Sequence, residues 1–216
     1  MKVVAFATIK LNSQRVPRKN LQPVGNRPLC WHVLNTALQV KGIDDVYVYC
    51  SDEAVKDAMP EGAKFLKREK WLDGDQVKAR DTYTAFLNDV DADVYIALLT
   101  TAPFVKKKTL QNSLDKVLSG EYDSAFAAKR MQTFAWFQGE PLNYEVEDVP
   151  RTQDLEPVYV ETSAFFIFTR EMWTKHSRRI GFRPYIQEVD EIEGVDIDTM
   201  DDLKFAQLIA EQVLHI

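Results

Sequence analysis

The chain has 216 residues, with 27 Lys and Arg against 33 Asp and Glu and a formal net charge of −6. Hydrophobic residues make up 45% and aromatic residues 11%. That is enough apolar material for a core without metal or disulfide staples, and it excludes disordered, collagen-like and low-complexity architectures. Nucleic-acid coats and anionic-membrane binders are normally basic. No nucleic-acid or membrane partner is therefore expected, and an anionic ligand would have to be held by a local basic site.

No apolar run approaches the ~20 residues a bilayer span needs. Residues Met1 to Ile9 run straight into charge, which reads as a first strand and not as a leader. Cys30 and Cys50 are the only cysteines. They are too few for a disulfide framework and do not stand at a metal-type spacing, so a reducing cytoplasm is the expected compartment.

In chain order, residues 3–9 (VVAFATI) read as a strand covered on both faces, and 29–41 as a helix with Val33, Leu34, Ala37 and Leu38 on one side. Residues 46–50 (VYVYC) read as a second strand, followed by a short helix that Ser51 or Asp52 could cap. Ala79, Tyr83, Phe86, Leu87 and Val90 form a helical face; residues 94–99 (VYIALL) form a third strand. Leu110, Leu114, Val117 and Leu118 make the next helical stripe, and 124–128 (SAFAA) resume strand character. Alternating strands and helices with near-continuous apolar strands predict an α/β domain with a mostly parallel sheet covered on both faces, and ligands bind such sheets beyond the strands' carboxyl ends.

The texture changes after residue 130. Thr133 to Phe137, a turn at Gly139-Glu140-Pro141, and Leu142-Asn143-Tyr144 read as a hairpin. Its aromatics suit either a partner surface or packing on its own domain. Tyr159 to Thr169 is a further strand, and no repeat or Gly/Ser linker divides the chain.

Two constellations could carry chemistry. The loop after the first strand, Lys10 to Asn20, places four Lys or Arg among residues 10–19. Cations there can hold phosphates by charge-assisted hydrogen bonds, with Asn12, Ser13 and backbone amides as neutral donors. The loop has no glycine, so it is neither a P-loop nor a dinucleotide fingerprint. The alternative is a solvated charged loop. The second constellation is Val195-Asp196-Ile197-Asp198-Thr199. Read as a strand, it turns Val195 and Ile197 inward and points Asp196 and Asp198 the same way, roughly 7 Å apart. Two carboxylates suit a hard cation such as Mg²⁺. Thr199 with Asp202 forms a helix-start signal, which leaves both aspartates free of capping duty. Cations for phosphates together with carboxylates for Mg²⁺ are the equipment of nucleotidyl transfer. Arg151, in the proline-bounded segment 150–157, could hold a substrate carboxylate or lie on a surface loop.

At these residues the chain resembles the acylneuraminate cytidylyltransferase family, the CMP-sialic acid synthetases and their relatives acting on other nonulosonic or ketodeoxy sugar acids. The resemblance spans essentially the whole chain. Ser13, Pro17, Lys19 and Asn20 match the opening motif A-R-x-x-S-x-x-x-P-x-K-N. Thr101-Ala102-Pro103-Phe104 is similar to T-S-P-[FL], and Asp196-Ile197-Asp198-Thr199-Met200-Asp201-Asp202-Leu203 to D-I-D-T-x-x-D-L. Arg151-Thr152-Gln153 and Phe165-Phe166-Ile167 also resemble family segments. The chain departs from the pattern at Lys10, which replaces the motif arginine and loses its bidentate fork. It departs again at Leu99, which replaces a glutamine of the sugar-acid site, and at Thr162 to Ile167, which replace N-G-x-x-Y-I.

The resemblance implies a single domain over 1–216, a Rossmann-like three-layer sandwich of the nucleotide-diphospho-sugar transferase type. Residues 130–165 would be a β-hairpin extension, with Trp136 and Phe137 serving a homodimer. It implies CTP and a sugar acid as substrates and Mg²⁺ as cofactor. Lys10 and Lys19 would neutralise the triphosphate, while Ser13, Asn20 and Arg68 would contact the nucleotide. Asp196 and Asp198 would hold the metal, with Asp198 catalytic, and Arg151, Gln153 and Thr162 would face the acceptor. Another nucleotide-sugar pyrophosphorylase or glycosyltransferase on a similar sheet, or a non-catalytic nucleotide-binding homologue, are the alternative readings.

Overall fold

The computed structural model describes residues 1–216. Strand β1 (Val3–Ile9) is followed by the short strands β2 (Pro23–Val24) and β3 (Arg27–Pro28), then helix α1 (Leu29–Leu38) and strands β4 (Asp45–Cys50) and β5 (Lys64–Lys67). Helix α2 (Ala79–Asp89), strand β6 (Val94–Leu98), helix α3 (Lys107–Leu118) and strand β7 (Ser124–Met131) come next. A small ribbon of β8 (Trp136–Phe137) and β9 (Glu140–Pro141) precedes β10 (Val158–Thr169), α4 (Arg170–His176), β11 (Pro184–Glu188) and α5 (Met200–Ile209).

Seven strands form one sheet in the order β11-β7-β10-β6-β1-β4-β5. β1 pairs in parallel with β4 and β6, β4 with β5, and β7 with β11. Only β10 runs antiparallel, between β6 and β7. The alternation of β1 explains the layering. Val3, Ala5, Ala7 and Ile9 join the core under α1 and α3, while Val4 and Phe6 join the opposite core under α2 and α4. Phe6 stacks on Phe86 of α2 with ring centroids 4.1 Å apart, a geometry worth about 0.5–1.5 kcal/mol beyond area burial. The result is the three-layer, mostly parallel sandwich expected from the apolar runs. No helix is long and apolar enough to cross a membrane.

Three local readings change. Residues 195–198 form no strand: Ile197 N–H donates to the Thr101 carbonyl at 2.9 Å and Val195 N–H to the Ile192 carbonyl, so the segment joins no ladder. The hairpin turn falls at Gln138 (φ 53°) and Gly139 (φ 88°), and Glu140–Pro141 already pair as a strand. Two successive positive φ values are what a two-residue hairpin turn demands, and glycine meets the second without strain. Finally, the edge strands β5 and β11 add to the sheet unannounced. Their residues are exposed or half-buried, so neither shows the apolar run of an inner strand. The hairpin leaves Trp136 and Phe137 59% and 62% exposed, while Phe134 and Trp136 meet Tyr144 edge-on and Asn143 ties the ribbon to the Glu156 carbonyl.

Candidate functional site

The carboxyl ends of β1, β4 and β5 open onto a cleft of about 850 Å³. Leu11, Asn12 and Arg18 line it from the loop after β1; Ser51, Asp52 and Glu53 line it after β4. Lys67 closes β5, and Lys70, Asp73 and Gly74 belong to the turn that follows. This is where open α/β sheets take their ligands. Asp52 also caps the short 3-10 helix Glu53–Ala58, its side chain accepting from Ala54 N–H.

At one end of the loop a cation pair meets a carboxylate from far along the chain. Lys19 begins a 3-10 turn, Lys19–Leu21, entered through Arg18 in a left-handed conformation (φ 51°). Its Nζ donates to the Ile197 carbonyl at 2.7 Å and to Asp198 Oδ1 at 3.2 Å. Arg15 Nη2 donates to the same Oδ1 at 2.8 Å, across 183 residues of sequence. Ile197 is fully buried with Val16 and Leu203, which sets the height of the flanking aspartates. Thr199 and Asp202 close a capping box at the start of α5, so neither aspartate is spent on the cap.

Asp196 sits differently. It lines a second, more apolar cavity of about 580 Å³ beside Val195 and Phe205, whereas Asp198 faces the basic loop. Burial pushes the Asp196 carboxyl above its ordinary value. The Thr101 hydroxyl and Lys19 oppose that shift, and the charges of Asp198 and Asp202 add to it. Asp196 Oδ1 is buried with no hydrogen-bond partner. No group of three or more His, Cys, Asp or Glu side chains converges here or elsewhere in a metal-ligating cluster. Two carboxylates, one with an orphaned oxygen, nevertheless fit a Mg²⁺ ion that draws its remaining ligands from substrate phosphates and water.

The remaining predicted residues divide. Lys10 is half-buried, next in sequence to the cleft-lining Leu11, with its Nζ 3.5 Å from Asp75, and Ser13 is half-buried in the same loop; neither lines the cleft. Asn20 is buried and its carboxamide is spent inside the protein: Oδ1 accepts from the Thr100 hydroxyl and Nδ2 donates to the Lys10 carbonyl at 3.3 Å. These bonds position the loop. Arg68 is buried too, its Nη2 donating to Asp73 Oδ1 at 2.6 Å, and it stands behind the cleft wall instead of lining it. Thr162 is inside the sheet, donating to the Ala127 carbonyl at 3.3 Å, beside the register shift between Glu161 and Phe166. Arg151 Nε is paired with Asp154 Oδ2 at 2.7 Å, and the Gln153 carbonyl accepts from Gln132 Nε2 at 2.8 Å. Both are exposed on the turn after the hairpin and neither lines the cleft.

A family profile described as Cytidylyltransferase matches residues 9–213. The chain belongs to the cytidylyltransferase family. Among relatives, an N-acylneuraminate cytidylyltransferase of Streptococcus agalactiae serotype V is 24% identical over 215 residues, covering 94% of this chain and 52% of the relative. The chain thus spans about half the length of the N-acylneuraminate cytidylyltransferases of that species that it matches. A pseudaminic acid cytidylyltransferase of Campylobacter jejuni is 27% identical over 226 residues, covering 97% of this chain and 96% of the relative. A solved CMP:2-keto-3-deoxy-manno-octonic acid synthetase complexed with CTP has the same fold, with a TM-score of 0.76 at 19% identity over 98% of this chain and 99% of that one.

Within this cytidylyltransferase-family fold, sequence reading missed two site residues. Arg15 lay within the basic loop, but nothing in its neighbourhood marked it as the partner of Asp198. Asp73 had no local signal at all. It becomes part of the site because its side chain accepts from Arg68 and from the Ser51 hydroxyl, while its carbonyl accepts from Asn12 Nδ2 at 3.2 Å.

Proposed function

We propose that the protein transfers the cytidylyl group of CTP to a nonulosonic, sialic acid-like sugar acid, giving a CMP-sugar acid and pyrophosphate. One observation carries this reading: the cations of the loop after β1 meet Asp198 at 2.8 and 3.2 Å, at the carboxyl end of a parallel sheet. In the reaction, the acceptor's anomeric hydroxyl oxygen forms a bond to the α-phosphorus of CTP and loses its proton to solvent water. The α–β phosphoanhydride bond breaks, and pyrophosphate leaves with the electron pair. Lys19 and Lys10 neutralise the phosphates, and Asn20 holds their loop against Thr100. Asp196 and Asp198 would hold Mg²⁺, which when bound supplies charge neutralisation at the phosphates and lowers the pKa of the attacking hydroxyl. Most of the acceleration comes from positioning and fixed charge. The acceptor class rests on the names of the relatives, N-acylneuraminate and pseudaminic acid cytidylyltransferase. The exposed Trp136 and Phe137 support a homodimer built through the hairpin.

The test is pyrophosphate release from CTP and Mg²⁺ across a panel of nonulosonic and ketodeoxy sugar acids. Release with at least one acceptor, lost in Asp198→Ala, is the expected outcome. No release across the panel, or thermal stabilisation by UTP or GTP exceeding that by CTP, overturns the assignment.

A further inference from the structure

We propose that the cavity between the start of α2 and the end of α4 is a second anion site, separate from the cleft and built for a compact, multiply charged phosphate group. It holds about 320 Å³ and shares no lining residue with the cleft. Lys78 and Arg80 line it from the start of α2, Arg179 lines it from just beyond α4, and no acidic residue does so. Three cations thus converge in a chain whose formal net charge is −6.

Their placement is electrostatically unfavourable in the empty protein. A helix N-terminus carries partial positive charge and favours anions, yet Lys78 is the N-cap of α2 and Arg80 stands in its first turn. Neither side chain pairs with a carboxylate; Arg80 Nη2 donates to the Ser177 hydroxyl at 3.1 Å. The Asp81 carboxylate is turned to the Lys78 N–H at 2.9 Å, and Glu161 stays 3.7 Å from Arg179 Nη2. Arg179 is held over the Phe166 ring, 3.7 Å from its centroid. Like charges gathered in this way repel one another until an anion enters.

A buried donor points to the same ligand. Tyr83 is 4% exposed, lines the cavity and donates its hydroxyl proton to no group of the protein. The group facing that hydroxyl is the Arg179 guanidinium, itself a donor. The proton therefore lacks an acceptor, and an oxyanion in the cavity supplies one. Trp173 forms part of the wall, its indole N–H already given to the Thr84 hydroxyl at 3.3 Å. Two guanidinium forks, an ammonium and a phenol match the oxygens of a phosphate or diphosphate, whereas a single carboxylate leaves most of that charge unanswered.

The experiment titrates inorganic pyrophosphate, without divalent metal, into the full isotopically labelled chain and follows the indole N–H resonances by NMR. The Trp173 resonance, assigned with Trp173→Phe, reports this cavity, because no tryptophan lines the cleft. We expect it to shift saturably with pyrophosphate, more weakly with inorganic phosphate and more weakly still with acetate. Lys78→Gln with Arg80→Gln should weaken pyrophosphate binding about 10- to 100-fold while leaving the urea midpoint unchanged or raised, since repulsion is relieved. Tyr83→Phe should weaken it about 10-fold. Lys19→Ala, which disarms the cleft, should leave the shift in place. Absence of a saturable shift, acetate binding as tightly as pyrophosphate, loss of the shift in Lys19→Ala, wild-type affinity in the double variant or in Tyr83→Phe, or a lowered urea midpoint in the double variant overturns the site. The site is independent of the cytidylyltransferase reading, and a chain that releases no pyrophosphate from CTP leaves it standing.

Discussion

Replacing Asn20 by Ala separates a loop-positioning residue from a nucleotide contact. The Asn20 carboxamide bridges the loop after β1 to Thr100, just beyond β6, and both Asn20 and Thr100 are buried. Alanine removes two hydrogen bonds and leaves the Thr100 hydroxyl and the Lys10 carbonyl without this partner. An unsatisfied buried group costs about 1–3 kcal/mol. A small cavity adds to that, so Asn20→Ala should destabilise by about 2–4 kcal/mol. Urea unfolding would show this as a lowered midpoint with an unchanged slope. Thr100→Val removes the other end of the bridge, and a double-mutant cycle should return a coupling of about 1–2 kcal/mol between the two positions. Asn20→Ala stability within ~0.5 kcal/mol of wild type, together with weakened CTP binding and no coupling to Thr100, would falsify the positioning role and return Asn20 to the nucleotide.

Three further outcomes follow from the same geometry. Asp73→Ala leaves the buried Arg68 guanidinium without its carboxylate. It should lower stability by about 3–5 kcal/mol, read by thermal or urea unfolding, and a loss under ~1 kcal/mol would mean the pair is not structural. Hydrogen bonds from the Thr199 hydroxyl and N–H, and from Asp198 N–H, hold the Asp202 carboxyl below the ordinary carboxylate range. Its folded pKa lies below its unfolded one. The cap therefore stabilises fully above about pH 4 and is lost as pH falls through the lower folded value. Asp202→Asn should flatten the acid limb of the stability curve measured by urea midpoints, and an identical limb in the two proteins would remove the cap from the account. Finally, Trp136→Asp with Phe137→Asp should convert a sedimenting dimer to a monomer, because an interface of about 1,000 Å² or more does not tolerate two buried charges at its apolar centre. A wild-type chain that sediments as a monomer at micromolar concentration refutes the dimer.

The inner strands were legible because a doubly covered strand must be apolar on both faces, as in VVAFATI and VYIAL. β5 and β11 were not, since an edge strand meets water on one side and reads as loop. The basic loop and the Asp196–Asp198 pair could be found by local density of charge. The shared facing expected of the two aspartates does not hold: Asp196 lines the apolar cavity while Asp198 faces the basic loop, because 195–198 joins no ladder that would fix its pleat. Arg68 and Thr162 could not be placed from their neighbours in the chain. Each is drawn into the interior by a partner, Asp73 or the Ala127 carbonyl, that no sequence period announces.

Periodicity and capping signals act over a few residues, so the amino-acid order alone determined the elements of the inner sheet, the α5 cap at Thr199 and Asp202, and the two charged segments. Which charges face one another was decided only when the chain closed. The bond from Arg15 to Asp198 spans 183 residues, and its existence depends on the sheet order and on the buried side chains of Val16 and Ile197 that bring the two loops to one depth. Electrostatic pairing is a property of distance in space, and a one-dimensional pattern carries no information about that distance until packing sets it.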